Sequence, residues 1–143
     1  MNTSHVIAPL PEPDDLTAFY WAAAACHELC VQRCEKCGVL QHPPLPVCRR
    51  CSGFEFDMFR VSGRATVYSF TLGVQAFHPW FADNLPYVLA VVELEEQPHL
   101  KLVTNIVGCE PSDVVIGMAV EVTFLERDGV TLPMFRPTQE VAQ

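Results

Sequence analysis

Four cysteines arranged as two Cys-x-x-Cys pairs constrain this chain more than any other feature. Cys34 with Cys37, and Cys48 with Cys51, are separated by ten residues in the stretch CEKCGVLQHPPLPVCRRC. This spacing allows four sulfur atoms to converge on one tetrahedral cation, because each two-residue spacer turns both sulfurs of a pair to the same side. The pattern predicts a structural four-cysteine zinc site. A chance run of cysteines or a pair of disulfides is the competing interpretation.

The composition is that of a folded chain with a genuine core. Half of the 143 residues are hydrophobic and only 18% are charged, which suits one domain of ordinary size. No run of about 18 uncharged apolar residues occurs, and the N-terminus lacks the basic start and apolar centre of a signal peptide. We therefore expect a cytoplasmic protein that does not enter a membrane, and seven cysteines agree with a reducing compartment.

The net charge of −8 is unevenly distributed along the chain. Residues 1–32 carry four acidic side chains and no Lys or Arg, residues 33–64 carry six basic against three acidic side chains, and residues 65–143 carry three basic against ten. The basic stretch coincides with the cysteine array. It either faces a polar partner or offsets the negative charge of a zinc–tetrathiolate site, and the sequence leaves both interpretations open.

The first 33 residues divide into an arm and a helical segment. Three prolines predict an extended arm over residues 1–13. Residues 14–33 are predicted to form a helix and a lead-in strand, with Asp14 as the cap before DLTAFYWAAAACHEL. Cys26 and Cys30 lie here, and we expect them to be small apolar groups on a packed face rather than further metal ligands.

The remaining chain reads as a zinc ribbon over 34–60, a β-barrel over 61–137 and a tail over 138–143. Five segments rich in Val, Thr and aromatic residues are bounded by Gly, Pro, Asp or Asn, which predicts five strands. They are RATVYSFTLGVQAF, LPYVLAVVELEE, HLKLVTNIVG, MAVEVTFLE and VTLPMF. A short helical element near CEPSDVVIG and a hairpin turn at 127–129 complete a pattern that fits a small closed barrel of OB type.

In this order of elements the chain resembles the rubredoxin-like zinc ribbon plus OB-fold family, long filed as a domain of unknown function and found beside thiolases. The resemblance spans about residues 14–137. It rests on FYWAAA, LCVQRCEKCG, PPLPVCRRC, SGRATVYSFT, PYVLAVVELEE and LPMFRP, together with Gly117-Met118 and Val120 and Val122 in the fourth barrel strand. The fold class predicted is mainly β: an N-terminal helix, a rubredoxin-like zinc ribbon and a five-stranded OB-fold barrel. Rubredoxin-type knuckles accept zinc or iron, so iron is the alternative ion.

The resemblance implies a partner protein of thiolase-like enzymes, which either holds an acyl-CoA or bridges catalytic subunits. Arg49 and Arg50 stand where the family often has a CPxCG knuckle, Ala65 replaces a Gly, and Gln97-Pro98 occupies a turn that usually contains Gly. From charge position alone, Arg49, Arg50 and Arg64 are candidates to contact CoA phosphates or an acidic partner.

The connection AFHPWFADNLPY between the first two barrel strands concentrates aromatic residues. Phe77, Trp80 and Phe81 cluster there around prolines. They form either a lid over the open end of the barrel or a docking surface, because exposed aromatics are enriched at protein interfaces.

Recognisable catalytic signatures are missing from the sequence. Cys109 and five histidines do not fall in a local motif, there is no phosphate-cradling Gly-rich loop, and four Cys ligands leave a metal no open position for water. The predicted function is therefore a non-catalytic zinc-binding subunit of a thiolase-like acyltransferase or acyl-CoA-processing complex, acting as a scaffold or acyl-CoA-binding partner. The alternatives are a single-stranded nucleic-acid-binding OB module, which the acidic barrel disfavours, and a stand-alone acyl-CoA enzyme.

Overall fold

One short helix precedes two antiparallel sheets in the computed structural model, which describes residues 8–138. The elements in chain order are α1 (Ala18–Ala25), β1 (Cys30–Cys34), β2 (Leu40–Gln41), β3 (Phe56–Arg60), β4 (Arg64–Gly73), β5 (Tyr87–Leu94), β6 (Lys101–Asn105), β7 (Ala119–Arg127) and β8 (Val130–Pro137). Short 3-10 helices occupy Pro79–Asp83 and Pro111–Asp113. The first seven residues of the predicted arm and the last five of the predicted tail lie outside the described residues.

Helix α1 is shorter at both ends than the sequence predicts. The Asp14 carboxylate accepts hydrogen bonds from the backbone N–H groups of Leu16 and Thr17 at 3.0 and 2.8 Å, so it closes a turn that precedes the helix. At the other end His27 takes a φ of 58°. The N–H groups of His27 and Glu28 then bond to carbonyls inside the last turn, an arrangement that ends a helix.

The helix buries Tyr20, Ala23 and Ala24. Cys30, at the start of β1, is also buried, as expected. The expectation for Cys26 was wrong, because this residue is the C-terminal cap of the helix and its side chain is exposed.

The ribbon sheet has the strand order β2-β1-β3 and the barrel sheet the order β6-β5-β4-β7-β8. The barrel nearly closes where Ile106 forms a parallel bridge to Phe135 and the N–H of Val107 donates to the Phe135 carbonyl at 2.8 Å. The β7–β8 hairpin turns through Asp128 and Gly129, both with positive φ, as the sequence predicts. These features confirm the mainly β fold with a helix, a ribbon and a five-stranded barrel.

Ribbon and barrel share one hydrophobic core. Val31 of β1 and Leu40 of β2 belong to the same buried cluster as Val92, Leu94 and Phe135 of the barrel. Helix α1 contacts both β1 and β8. Because one continuous core stabilises both parts, the orientation of the ribbon on the barrel is fixed by packing.

One glutamine side chain forms two hydrogen bonds between the barrel and the ribbon. Gln97, in the turn between β5 and β6, accepts a hydrogen bond from the Leu40 N–H at 2.9 Å and donates one to the Leu40 carbonyl at 2.7 Å. Its amide thus satisfies both backbone groups of a ribbon residue.

No helix among residues 8–138 is long and apolar enough to cross a membrane.

Candidate metal centre and adjoining surfaces

The two cysteine knuckles have the same backbone construction. In each pair the carbonyl of the first cysteine accepts a hydrogen bond from the backbone N–H of the residue four positions later. The N–H of Gly38 donates to the Cys34 carbonyl at 2.9 Å, and the N–H of Ser52 donates to the Cys48 carbonyl at 3.0 Å. Gly38 has a φ of 78° and Ser52 a φ of 62°. Glycine adopts a positive φ without strain, so residue type alone identifies Gly38 but not Ser52. The signal that identifies Ser52 is its position directly after the second cysteine of its pair.

A second pair of hydrogen bonds is also equivalent in the two knuckles. The N–H of Cys34 donates to the Val39 carbonyl at 3.0 Å, and the N–H of Cys48 donates to the Gly53 carbonyl at 2.9 Å. Each knuckle therefore closes on itself. This leaves the cysteine side chains of both knuckles directed to a common centre.

The four sulfur atoms are at the separations expected for one tetrahedral ion. The Sγ atoms of Cys34 and Cys51 are 3.5 Å apart, and those of Cys37 and Cys48 are 3.6 Å apart. All four ligand atoms lie within 4.8 Å of one another. Four sulfurs at 2.3 Å from a tetrahedral zinc would be about 3.8 Å apart, so the donor set fits a metal ion without rearrangement of the backbone.

Backbone N–H groups favour the thiolate form at this centre. The N–H of Cys37 lowers the pKa of Cys34, and the N–H groups of Cys51 and Arg50 lower the pKa of Cys48 to about 6. The N–H of Gly53 acts the same way on Cys51, but burial and the three neighbouring sulfurs outweigh it and raise the pKa of Cys51 to about 11. Four thiolates so close together need a cation to offset their mutual repulsion.

The centre is partly enclosed by protein. Cys34 and Cys48 are buried, and Cys37 and Cys51 are half-buried. A Cβ atom added at Gly53 would lie 3.3 Å from the Cys51 sulfur and 3.5 Å from the Cys34 sulfur, so the chain passes close against the sulfurs. A four-sulfur ion in this setting has no open coordination position for water or substrate.

The three candidate arginines occupy two different environments. Arg64 forms an ion pair with Glu95 on the barrel, with its Nη2 2.7 Å and its Nε 3.0 Å from the carboxylate oxygen. Arg49 and Arg50 are exposed on the second knuckle. Arg64 therefore lies on the barrel with its charge already paired, whereas Arg49 and Arg50 lie together on the ribbon.

The aromatic connection between β4 and β5 also divides into two parts. The Phe77 side chain is 86% exposed. Trp80 is half-buried, with its ring under the Arg127 guanidinium at 4.3 Å and edge-on to Phe81 at 5.0 Å. Trp80 and Phe81 line a cavity of about 430 Å³ at the end of the barrel. Within this connection, Trp80 and Phe81 therefore have the position expected of a lid, and Phe77 has the exposure expected of a docking residue.

Cys109 is the cysteine that borders this cavity. Burial, with smaller contributions from Asp113 and Glu110, raises the pKa of the Cys109 thiol. None of the described residues that line the cavity is a His, Asp or Glu. A nucleophilic cysteine typically has a lowered pKa or a base that activates it, whereas the pKa of the Cys109 thiol is raised.

Two family descriptions match the chain, one for each part of the fold. Residues 21–57 match the rubredoxin-like zinc ribbon domain of ChsH2, and residues 60–125 match the C-terminal OB-fold domain of ChsH2. The solved structure described as the Ltp2-ChsH2(DUF35) aldolase contains a similar chain, with a TM-score of 0.81 and 42% identity, covering 90% of this chain and 98% of that one.

Three curated relatives differ in how much of their length this chain spans. A probable enoyl-CoA hydratase alpha subunit of Thermomonospora curvata is 42% identical over 92% of this chain, which corresponds to only 40% of the relative. A DUF35 domain-containing scaffold protein of Methanocaldococcus jannaschii is 37% identical over 68% of this chain and 69% of the relative. Benzoylsuccinyl-CoA thiolase subunit BbsA of Thauera aromatica is 31% identical over 73% of this chain and 71% of the relative.

Proposed function

Because this chain belongs to the DUF35 family, in which a rubredoxin-like zinc ribbon is joined to an OB-fold domain, we propose that it is a non-catalytic subunit of an acyl-CoA-processing complex. Its role is to bind a thiolase-like catalytic subunit and to act as a scaffold for it. The relatives support this role through their descriptions as a scaffold protein, a thiolase subunit and an aldolase component.

The closed four-sulfur centre is the observation that carries the proposal. Four cysteine sulfurs within 4.8 Å of one another leave a bound ion no position for a substrate. Outside the cluster, the Cys109 thiol has a raised pKa, and no His, Asp or Glu is among the described residues that line the cavity beside it. A chain with a structural metal and no activated thiol is proposed to contribute to a reaction by binding, not by chemistry.

We propose that the ion is zinc and that Cys34, Cys37, Cys48 and Cys51 hold it. A zinc ion bound in this way supplies folding energy and no redox or Lewis-acid step to a substrate. Iron is the alternative, because a four-sulfur site accepts it. The thiolates that either ion requires persist in a reducing compartment, and we place the protein in the cytoplasm.

Phe77 is our candidate for the docking contact with the catalytic subunit. Phe77 is 86% exposed in the β4–β5 connection, and aromatic residues are enriched at protein interfaces. Replacing it with Ala is expected to weaken complex formation at least about tenfold, which corresponds to about 1.4 kcal/mol. The melting temperature of the isolated chain should change little. The measurement is the dissociation constant for a co-expressed thiolase-like protein of the same genome.

Trp80 is the matched control within the same connection. Its ring contacts Arg127 and Phe81, so Trp80→Ala is expected to lower the melting temperature of the chain. An unchanged dissociation constant for Phe77→Ala would reject the docking assignment. The connection would then serve as a lid only.

A further inference from the structure

Strand β3 has one paired edge and one open edge in the ribbon sheet. It pairs with β1 only and is the last strand on its side of the order β2-β1-β3. The N–H of Glu35 donates to the Glu55 carbonyl at 3.0 Å. Because bonded pairs alternate along an antiparallel ladder, the backbone N–H and C=O groups of Phe56, Met58 and Arg60 point away from β1. No backbone group among residues 8–138 bonds to them.

One face of this open edge is apolar. Phe54 is 76% exposed and Met58 is 59% exposed, with the half-buried Phe56 between them. These three side chains line a groove of about 380 Å³ with Leu16 and Phe19, which lie just before and within α1. Natural proteins protect edge strands with charged residues, Pro or a bulge, and this face has none of them between residues 54 and 58. An open backbone edge beside an apolar groove is the arrangement that accepts an added strand.

The other face of the same edge is acidic. Glu35 and Glu55 lie directly opposite each other in the ladder, and like charges in that position destabilise a sheet. Neither carboxylate forms an ion pair within residues 8–138. Asp57, by contrast, is paired with Arg33 at 2.7 Å. A Lys or Arg side chain next to Glu55 on an added strand would offset this repulsion.

Charge decides which occupant fits the edge. A second copy of this chain carries a net charge of −8. The basic residue that its own β3 offers is Arg60, which already pairs with Glu28 at 3.2 Å. A segment in which apolar and basic residues alternate satisfies both faces at once, since successive side chains of a strand point to opposite sides of a sheet.

We propose that the open edge of β3 binds an extended segment of the catalytic subunit, in which apolar and basic residues alternate, as a fourth strand of the ribbon sheet. The apolar side chains of the segment lie in the groove along Phe54 and Met58, and its basic side chains face Glu35 and Glu55. The source of the segment rests on the proposed function, whereas the addition of a strand does not. This contact is on the ribbon and is separate from Phe77 on the barrel.

The test is titration of the metal-loaded chain with a capped peptide of about nine residues in which lysine and valine alternate, followed by two-dimensional amide NMR. Saturable shifts are expected at the amides of residues 54–60. Two control peptides should bind at least about tenfold more weakly. One has the lysine–valine sequence with alternate amides N-methylated, so that it cannot pair with the edge. The other alternates glutamate and valine.

Variants of the chain test the same contacts from the other side. Met58→Pro removes an N–H that points away from β1, a position at which an edge strand tolerates proline. It should lose at least about tenfold in peptide affinity, and Phe54→Ser should weaken binding without any change in the backbone. Glu55→Lys should shift the preference toward the glutamate–valine peptide. Val103→Ser, at a 67% exposed apolar residue of the barrel, should leave the affinity unchanged.

Several results would overturn the inference. They are no saturable shift with the lysine–valine peptide, equal binding of the N-methylated peptide, or unchanged affinity in both Met58→Pro and Phe54→Ser. A dimer of this chain that Met58→Pro dissociates would assign the edge to a second copy. If Met58→Pro left the dissociation constant for the thiolase-like protein unchanged while Phe77→Ala raised it, the catalytic subunit would not be the source of the segment. Peptide binding as expected, without any complex, would support strand addition and contradict the proposed function.

Discussion

Removing the metal, by strong chelation or by Cys48→Ser, is expected to unfold the ribbon and to destabilise the whole chain. Metal binding at structural cysteine sites is worth about 10–16 kcal/mol in small zinc-finger peptides, which is similar in size to the total stability of about 5–15 kcal/mol of an ordinary domain. The ribbon has only short strands of its own, β1 to β3. Because Val31 and Leu40 belong to the shared core, loss of the ribbon also exposes apolar surface of the barrel.

Metal content by mass spectrometry, together with thermal unfolding, measures this effect. Cys26→Ser is the matched control, because Cys26 is exposed and lies outside the four-sulfur cluster. The control should keep one ion per chain and its melting temperature. A Cys48→Ser protein that kept both would show that the four cysteines do not act as one structural centre.

Phe135→Ala is expected to cost about 3–5 kcal/mol of unfolding free energy, the usual range for removing a fully buried aromatic ring. The Phe135 side chain is 0% exposed. Its backbone also forms the bridge that nearly closes the barrel, through Ile106 and Val107. The loss of packing therefore falls at the contact between the first and last strands of the sheet.

Denaturant unfolding of Phe135→Ala and of Phe77→Ala, each compared with the unmodified chain, measures the two changes in unfolding free energy. Phe77→Ala removes the same side chain from an exposed position, and we expect a change within about 0.5 kcal/mol. A loss of less than 1 kcal/mol for Phe135→Ala would contradict the packing of Phe135 at the bridge to Ile106, where the barrel nearly closes.

The parts of the structure that local sequence determines were predictable. Paired two-residue cysteine spacing has few alternatives, and the turn at Asp128 and Gly129 requires two positive φ values that an Asp-Gly dipeptide accepts readily. The five barrel strands follow from alternation and from their bounding turn residues. These features depend on neighbours within a few residues, and the sequence contains those neighbours.

Other features depend on contacts that are distant in the sequence. His27 ends α1 in a conformation that sequence patterns assign to glycine, and its ring stacks on Phe124 of β7 at 5.1 Å. Gln97 lies in a turn where the resemblance leads one to expect a glycine, yet its amide joins the barrel to Leu40. The separation of Arg64 from Arg49 and Arg50 likewise depends on Glu95, thirty-one residues away from Arg64. None of these partners could be identified without the fold.

Reconstitution with a thiolase-like protein of the same genome tests the central claim most directly. Acyl-CoA cleavage or condensation would be assayed for the catalytic protein alone, for this chain alone and for the purified complex. We predict that this chain alone has no activity, that a stable complex forms and that the catalytic protein is substantially active only within it. Turnover of an acyl-CoA by this chain alone, or full activity of the catalytic protein with no complex formed, would contradict the proposed role.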